Sequence, residues 1–275
     1  MQGVYDIVIK IGSMALIRDE DGDIDYNIFS RLGASLRPGM LLVSSGATEI
    51  GRIDYMKRSG QELTGDVEDV KTDYAAQGQA ILMENYRQFI NPAYSVRQML
   101  VEHSHFNDSE KREHIYRLLM RAPGQNAIPI VNYNDPVSSE ENRKMELKRI
   151  EHNGTRHVVE CVDNDETAAV IAMLVQAKTL VILTSVDGIY QVPGDASTLI
   201  REITGATPKE LEDNVNAAIA CCQGASRTGA QGAGAKLKYS LGPAKTGTNV
   251  YIARASSSIG DILSGKASST HIHLV

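Results

Sequence analysis

Short runs of β-branched and aliphatic residues recur along this chain, and each stops at a cluster of glycine, serine, asparagine or aspartate. Asp6-Ile7-Val8-Ile9-Lys10-Ile11 ends at Gly12-Ser13, and Met40-Leu41-Leu42-Val43 ends at Ser44-Ser45-Gly46-Ala47. Ala127-Ile128-Pro129-Ile130-Val131 ends at Asn132-Tyr133-Asn134-Asp135, and Leu180-Val181-Ile182-Leu183 ends at Thr184-Ser185-Val186-Asp187-Gly188. A run with no polar alternation predicts a strand covered on both faces, which is the condition of a parallel sheet. Parallel strands need a crossover between them, and helical segments stand where those crossovers belong.

Val70 to Phe89 carries Ala75, Ala76, Ala80, Ile81, Met83 and Tyr86 among polar residues, the pattern of a long amphipathic helix. A strand from Ser95 to Val101 follows it. Asp108-Ser109 can cap a helix running to Met120, and Asp163-Asn164-Asp165 can cap an apolar helix from Glu166 to Ala177. The C-terminal third reads as a Gly-rich stretch (Gly224 to Gly234), a helix from Lys236, a strand at Val250-Tyr251-Ile252-Ala253 and a helical turn from Ile259 to Ser264. Ser138 to His157 is charged and aperiodic, which predicts a protruding hairpin or flap. With no repeat or low-complexity linker, the 275 residues are expected to form one α/β domain with two lobes. Its architecture would be a three-layer α/β/α sandwich with a mainly parallel central sheet.

The net charge of -6 and pI near 5.7 argue against the basic face that nucleic acid requires. No apolar run approaches the about 18 residues of a transmembrane helix, and no signal peptide precedes the first strand. A protein that begins at Met1 and stays in the cytoplasm is expected. Cys161, Cys221 and Cys222 are odd in number and lack a metal spacing, so they read as packing thiols in a reducing compartment. Asp19-Glu20-Asp21-Gly22-Asp23 lacks the acid that a calcium loop needs at Ile17 and reads as a solvated hairpin turn. His103 and His105, like His271 and His273, would share one face of a strand, but the sequence shows neither pair a third ligand, and no metal site is expected.

In an open parallel sheet, ligands bind beyond the carboxyl ends of the strands, where the polar clusters above fall. Lys10 would bring an ammonium to that edge beside the Gly12-Ser13 turn, whose backbone N–H groups can approach phosphate. Ser44-Ser45-Gly46-Ala47 offers hydroxyls and N–H groups at a helix start, and Asn132, Asn134 and Asp135 can receive an ammonium or amide. Asp163-Asn164-Asp165 sets two carboxylates within three residues, and N-capping explains only one of them. The other could lie between two ammonium groups, with Lys236, behind Gly229-Ala230-Gln231-Gly232-Ala233-Gly234, as the second lysine. There is neither a GxxxxGK[ST] loop nor a GxGxxG after the first strand.

Taken in order, Lys10-Ile11-Gly12-Ser13, Ser44-Ser45-Gly46-Ala47, Asn132-Tyr133-Asn134-Asp135, Asp163-Asn164-Asp165 and Leu183-Thr184 with Asp187-Gly188-Ile189-Tyr190 resemble the glutamate 5-kinases of the amino acid kinase family. Gly260-Asp261-Ile262-Leu263-Ser264-Gly265 resembles the end of that kinase domain. Ser-Ser-Gly-Ala distinguishes this group from relatives with a His-Gly pattern, and aspartokinases are the nearest rival. The resemblance implies transfer of the γ-phosphoryl group of ATP, carried with Mg²⁺, to the carboxylate of a small molecule, glutamate foremost. Lys10 and Lys236 would stabilise the phosphoryl group in transit, with Asp165 orienting both. Ser44, Gly46, Ala47, Asp135, Asp163 and Asn164 would hold the amino acid. Gly12, Ser13, Thr184, Ser185, Asp187, Gly188, Tyr190 and Gly232 would line the nucleotide. The resemblance also implies an acceptor lobe over about 1–175, a nucleotide lobe over about 176–275, and a homo-oligomer. The chain departs from the family at Gly229-Ala230-Gln231-Gly232-Ala233, where Gly-Thr-Gly-Gly-Met is usual, at Gln191-Val192-Pro193-Gly194-Asp195, and at Tyr133. These departures raise a rival expectation, a paralogue that binds an amino acid or nucleotide without turnover.

Overall fold

A computed structural model of the chain describes residues 5–138, 144–148, 150, 158–161, 163–192, 194–223 and 230–275. The first apolar run forms β1 (Ile7–Ile11), and α1 (Tyr26–Ser35) then leads to β2 (Met40–Ser44). Two long helices follow, α2 (Ala47–Ser59) and α3 (Val67–Phe89), before β3 (Ser95–Val101). The short α4 (His103–Asn107) and α5 (Ser109–Arg121) precede β4 (Ala127–Tyr133). Beyond it come α6 (Asn164–Leu174), β5 (Thr179–Thr184), and the short strands β6 (Ile189–Tyr190), β7 (Leu199–Ile200) and β8 (Glu202–Gly205). The chain closes with α7 (Pro208–Gln223), α8 (Ala230–Lys245), β9 (Asn249–Arg254), α9 (Ile259–Leu263) and β10 (Ser269–Leu274).

Eight strands make one sheet in the order β3-β4-β2-β1-β5-β9-β10-β8, while β6 and β7 pair separately. Pairing is parallel from β3 to β9, then β10 runs antiparallel to β9 with β8 parallel to it. The sheet is therefore mainly parallel and flanked by helices on both faces, as the apolar runs predict. Strands before β5 lie on one side of β1 and those after it on the other, so the strand order reverses beside β1 and opens the crevice that such sheets use for ligands.

Strand parity divides the core. Ile7, Ile9 and Ile11 of β1 and Met40 and Leu42 of β2 face a cluster that includes Phe29, Leu82 and Tyr86 from α1 and α3. Val8, Leu41 and Val43 face the other cluster, with Ala168, Ile171 and Ala172 of α6 and Leu211 and Leu237 behind them. Lys10 shares its parity with Val8 and so points to the α6 face.

The α2–α3 contact is close because Gly51 and Gly78 meet there. A methyl on Gly51 would overlap the carbonyl of Tyr74, and one on Gly78 that of Ala47. Gly46, the N-cap of α2, takes φ 109°, a conformation open to glycine and strained for other residues.

Several expectations change on contact with the structure. His103 and His105 lie on α4, not on a strand. The His103 ring is buried, with Nε2 2.7 Å from the Glu146 carboxylate. Of the expected flap from Ser138 to His157, residues 144–148 are helical, and most of the rest lies outside the described residues. Likewise, Gly224 to Gly229 lie outside them, but helix α8 already begins at Ala230, so Gly232 and Gly234 are helical residues instead of a loop. The Asp19–Asp23 turn is a hairpin closed by the Ile17–Ile24 bridge, with Asp21 held by Arg18 and Asp23 by Lys57.

Candidate active site

The carboxyl ends of β1, β2, β4, β5 and β9 lie along one edge of the sheet, because Ile11 pairs with both Ser44 and Leu183, and Thr184 with Arg254. Over that edge stands the N-terminus of α6, capped by Asp163, whose side chain accepts from the main-chain N–H groups of Asp165 and Glu166. The cap fixes the first turn, and the first turn delivers Asp165.

Asp165 is where the two distant lysines meet. Lys10 Nζ lies 2.7 Å from Asp165 Oδ1 and Lys236 Nζ lies 3.0 Å from Oδ2, so one carboxylate separates two ammonium groups. Lys10 is only 5% exposed, and the Asp165 carboxylate is the ion-pair partner at its buried head. Burial pushes the Asp165 pKa up, and the two ammoniums outweigh that, holding it below the ordinary range. Asp163 goes the other way, because burial and the nearby Asp165 charge raise it despite Lys10 and its two N–H donors.

Beside the lysines, Gly12 leaves a gap. A Cβ there would lie 3.8 Å from Lys10 Nζ and from the Leu183 carbonyl, so the missing side chain keeps a space open at the ammonium. Ser13 follows as the first residue of a 3-10 turn. Glycine turn and paired lysines together suit a polyphosphate. The central carboxylate is already shared by both lysines, so a divalent ion would come with the nucleotide, on its oxygens and water.

On the β2–β4 side a buried polar chain runs through the sheet edge. The Asn164 amide donates to Ser45 Oγ (3.0 Å) and Asn132 Oδ1 (2.8 Å), and the Asn132 amide donates to Gln79 Oε1 (2.8 Å). Asn164 Oδ1 is buried without a partner among the described residues. It is an acceptor that a ligand N–H could satisfy. Gly46 and Ala47 stand at the start of α2 next to Ser45, and Asp135 occupies the turn after β4, closed by Val137 N donating to Asn134 O.

Ser44 does not join this group. Its parity with Leu42 turns it to the α3 face, where it is fully buried and 2.7 Å from the Tyr86 hydroxyl, while it donates to Ser45 O. The serine that reaches Asn164 is Ser45. Gly232 is exposed on the first turn of α8, one turn before Lys236.

On the β5 side, Thr184 ends the strand, the exposed Ser185 follows it, and Asp187 lies beyond. Arg254, at the end of β9, donates from Nε to Asp187 Oδ1 at 2.6 Å, and the Tyr190 hydroxyl donates to Oδ2 at 3.1 Å. The Arg254 hydrogen bond holds the Asp187 carboxyl below its ordinary range. Gly188 admits no side chain, since a Cβ would crowd Thr270 Oγ1 at 2.6 Å.

Sequence reasoning named the Ser44-Ser45 hydroxyls but chose Ser44 where the structure uses Ser45, and it missed the roles of Gln79, Tyr86 and Arg254. Gln79 carried a signal: it shares the buried stripe of Ala75, Leu82 and Tyr86 on α3, where a polar side chain needs a buried partner. Arg254 ends a strand as Lys10 nearly does, and the same reasoning applies to it.

The model of the amino acid kinase family matches residues 7–254. A glutamate 5-kinase of Alkaliphilus metalliredigens is 32% identical over 217 residues, covering 76% of this chain and 68% of that protein. A glutamate 5-kinase of Geobacillus kaustophilus is 26% identical, covering 97% of this chain and 67% of that protein. Among solved structures, carbamate kinase from Giardia lamblia bound to AMP-PNP superposes with a TM-score of 0.60 at 14% identity, covering 98% of this chain and 99% of that one. Isopentenyl phosphate kinase of T. acidophilum gives 0.55 at 14% identity, covering 96% and 98%. Both of these likenesses are likenesses of fold. Among the described residues no helix is long and apolar enough to cross a membrane.

Proposed function

The chain belongs to the amino acid kinase family, and from that premise we propose that it transfers the γ-phosphoryl group of ATP to a carboxylate, with the side chain of glutamate as the acceptor. The observation that carries this reading is the Lys10–Asp165–Lys236 constellation beside the gap at Gly12.

A glutamate side chain has a pKa of about 4.3, so at neutral pH the attacking oxygen is already an anion and no general base is needed. An acceptor carboxylate oxygen forms a bond to the γ-phosphorus as the bond to the ADP oxygen breaks, giving an acyl phosphate and ADP with no proton to move. The chain's task is positioning and charge stabilisation. Lys10 and Lys236 would face the equatorial oxygens, Asp165 holds both ammoniums in place, and the Gly12-Ser13 turn would receive the phosphates. Mg²⁺ would neutralise charge on the nucleotide's own oxygens. Asn164 Oδ1, with Asp135 and Asp163, would take the acceptor's ammonium, while Ser45 and the N–H groups at Gly46 and Ala47 take an anionic oxygen. Thr184, Ser185, Asp187, Gly188 and Tyr190 would edge the nucleotide, with Gly232 at the margin. Apart from Lys10, Gly12, Ser13 and Asp165 at the phosphoryl group, residues up to about 175 would serve the acceptor and those beyond would serve the nucleotide, in the cytoplasm.

The relatives named glutamate 5-kinase support glutamate as the acceptor. The test is ADP release with hydroxylamine present to trap the acyl phosphate, across glutamate, aspartate and their analogues. A hydroxamate formed with glutamate is the expected result. Binding of glutamate and ATP with no ADP formed from any acceptor would overturn the reading and leave a binding paralogue.

A further inference from the structure

On the face of the sheet opposite α7 and α8, at the edge formed by β8 and β10, the structure supplies what the sequence could not show for the last histidine pair. His271 and His273 alternate along β10, so both rings stand on one face, and the parallel register sets Glu202 of β8 opposite His271. Among the described residues, these three can each offer a ligand atom within 4.8 Å of the other two. We propose that Glu202, His271 and His273 bind a divalent transition cation of the zinc class, with three protein ligands and one open position.

The hydrogen bonds around the rings argue for it. His273 Nδ1 lies 3.0 Å from the Leu274 carbonyl, which can only accept, so Nδ1 carries the hydrogen and Nε2 is left with a lone pair. That lone pair meets Glu202 Oε1 at 3.0 Å. Two acceptors facing each other need a cation between them, either a proton or a metal. His271 Nε2 lies 2.9 Å from Asn249 Oδ1 and donates there, leaving Nδ1 as its ligand atom. Each imidazole thus gives one ring hydrogen to a fixed oxygen and keeps a lone pair on its other nitrogen, the outer arrangement that accompanies metal-ligating histidine.

The neighbours hold the rings in place. Tyr251 stacks on His271 at 4.1 Å between centroids, and His271 stacks on His273 at 3.9 Å. The Glu202 side chain is 62% exposed and free to close on an ion. A cleft of about 420 Å³ lined by Glu202, Tyr251, Leu263 and His271 gives the ion a way in. Two imidazoles and one carboxylate select zinc or its borderline neighbours over magnesium or calcium, which prefer oxygen sets. The site lies apart from the catalytic edge, because His271 pairs with Tyr251 and Ile272 with Val250, in the half of β9 remote from Arg254. The proposal is independent of the kinase reading.

Chelator-stripped protein titrated with Zn²⁺ against a chromophoric competitor should take up one equivalent per chain. Glu202→Gln and His273→Ala should weaken uptake more than tenfold, and Asn249→Ala by about 10–100-fold through the outer contact. Co²⁺ loaded in place of zinc should show a visible ligand-field band without thiolate charge transfer. Uptake unchanged in these variants, a thiolate band pointing to the cysteines, or no uptake at all would overturn the proposal, the last leaving a proton-bridged pair. Glu202→Gln, at an exposed position and checked by circular dichroism, carries the test if a histidine variant fails to fold.

Discussion

Asp163 and Asp165 stand two residues apart on the first turn of α6, and their carboxyl groups are displaced in opposite directions. Burial raises Asp163, while the ammoniums of Lys10 and Lys236 prevail over burial at Asp165 and hold it down. A carboxyl with a depressed pKa adds stability that is present above the ordinary value, about 3.9 for aspartate, and is lost as pH falls through the depressed one. A raised carboxyl does the reverse, and its ionisation costs the folded state as pH rises through the ordinary value toward the raised one. Asparagine caps a helix as well as aspartate does. Asp163→Asn should therefore melt no lower than the parent at neutral pH, and its advantage should vanish on acidification. Thermal unfolding followed across that range checks it.

Asp165→Asn should behave in the opposite way. It strands two ammoniums, one of them almost fully buried, and breaking a buried pair from one side costs about 3–5 kcal/mol. Calorimetric unfolding should show that loss at neutral pH and less of it in acid, where the parent's carboxyl is protonated as well.

Lys10→Ala and Lys236→Ala should each lower kcat by about a hundredfold or more, the scale of one transition-state charge contact. Because both ammoniums share one carboxylate, the double variant should lose less than the product of the two. Multiplicative losses in single-turnover rates would separate the lysines into independent roles.

The buried Ser44–Tyr86 pair should matter to stability and not to turnover. Tyr86 donates to Ser44, which passes its own hydrogen to Ser45 O. Ser44→Ala leaves the Tyr86 hydroxyl orphaned, a cost of about 1–3 kcal/mol, whereas Tyr86→Phe forfeits one bond, about 1 kcal/mol. Urea unfolding of both variants and their combination measures the difference, and Ser45→Ala should be the variant that raises the acceptor KM.

Gly78→Ala should be among the costliest small changes, since the new methyl overlaps the Ala47 carbonyl and pushes α2 off α3. A loss of about 1–3 kcal/mol or more is expected by denaturation, together with a raised acceptor KM, because the start of α2 moves with it.

The parallel half of the fold was legible because its strands are apolar on both faces and end in small polar clusters, which pointed to Lys10, while the spare carboxylate of a helix cap pointed to Asp165 and the Gly-rich run before Lys236 to that lysine. The last strands were harder to read. β10 alternates Thr270 and Ile272 inward with His271 and His273 outward, a half-covered strand whose reversed direction no local turn announces. The exchange of Ser44 for Ser45 follows from strand parity, which a motif read as a string of letters ignores. The histidine pair lacked its third member because Glu202 lies 69 positions before His271 and only pairing brings it near.

Alternation along β1 puts Lys10 toward α6 and both flanking isoleucines toward α3. A slip of one position in the pairing of that strand would bury the ammonium among Phe29 and Tyr86 and lay an isoleucine against Asp165. A mispaired molecule would thus be inert as well as unstable, so turnover per mole of protein doubles as a gauge of how faithfully the central strand has found its partners.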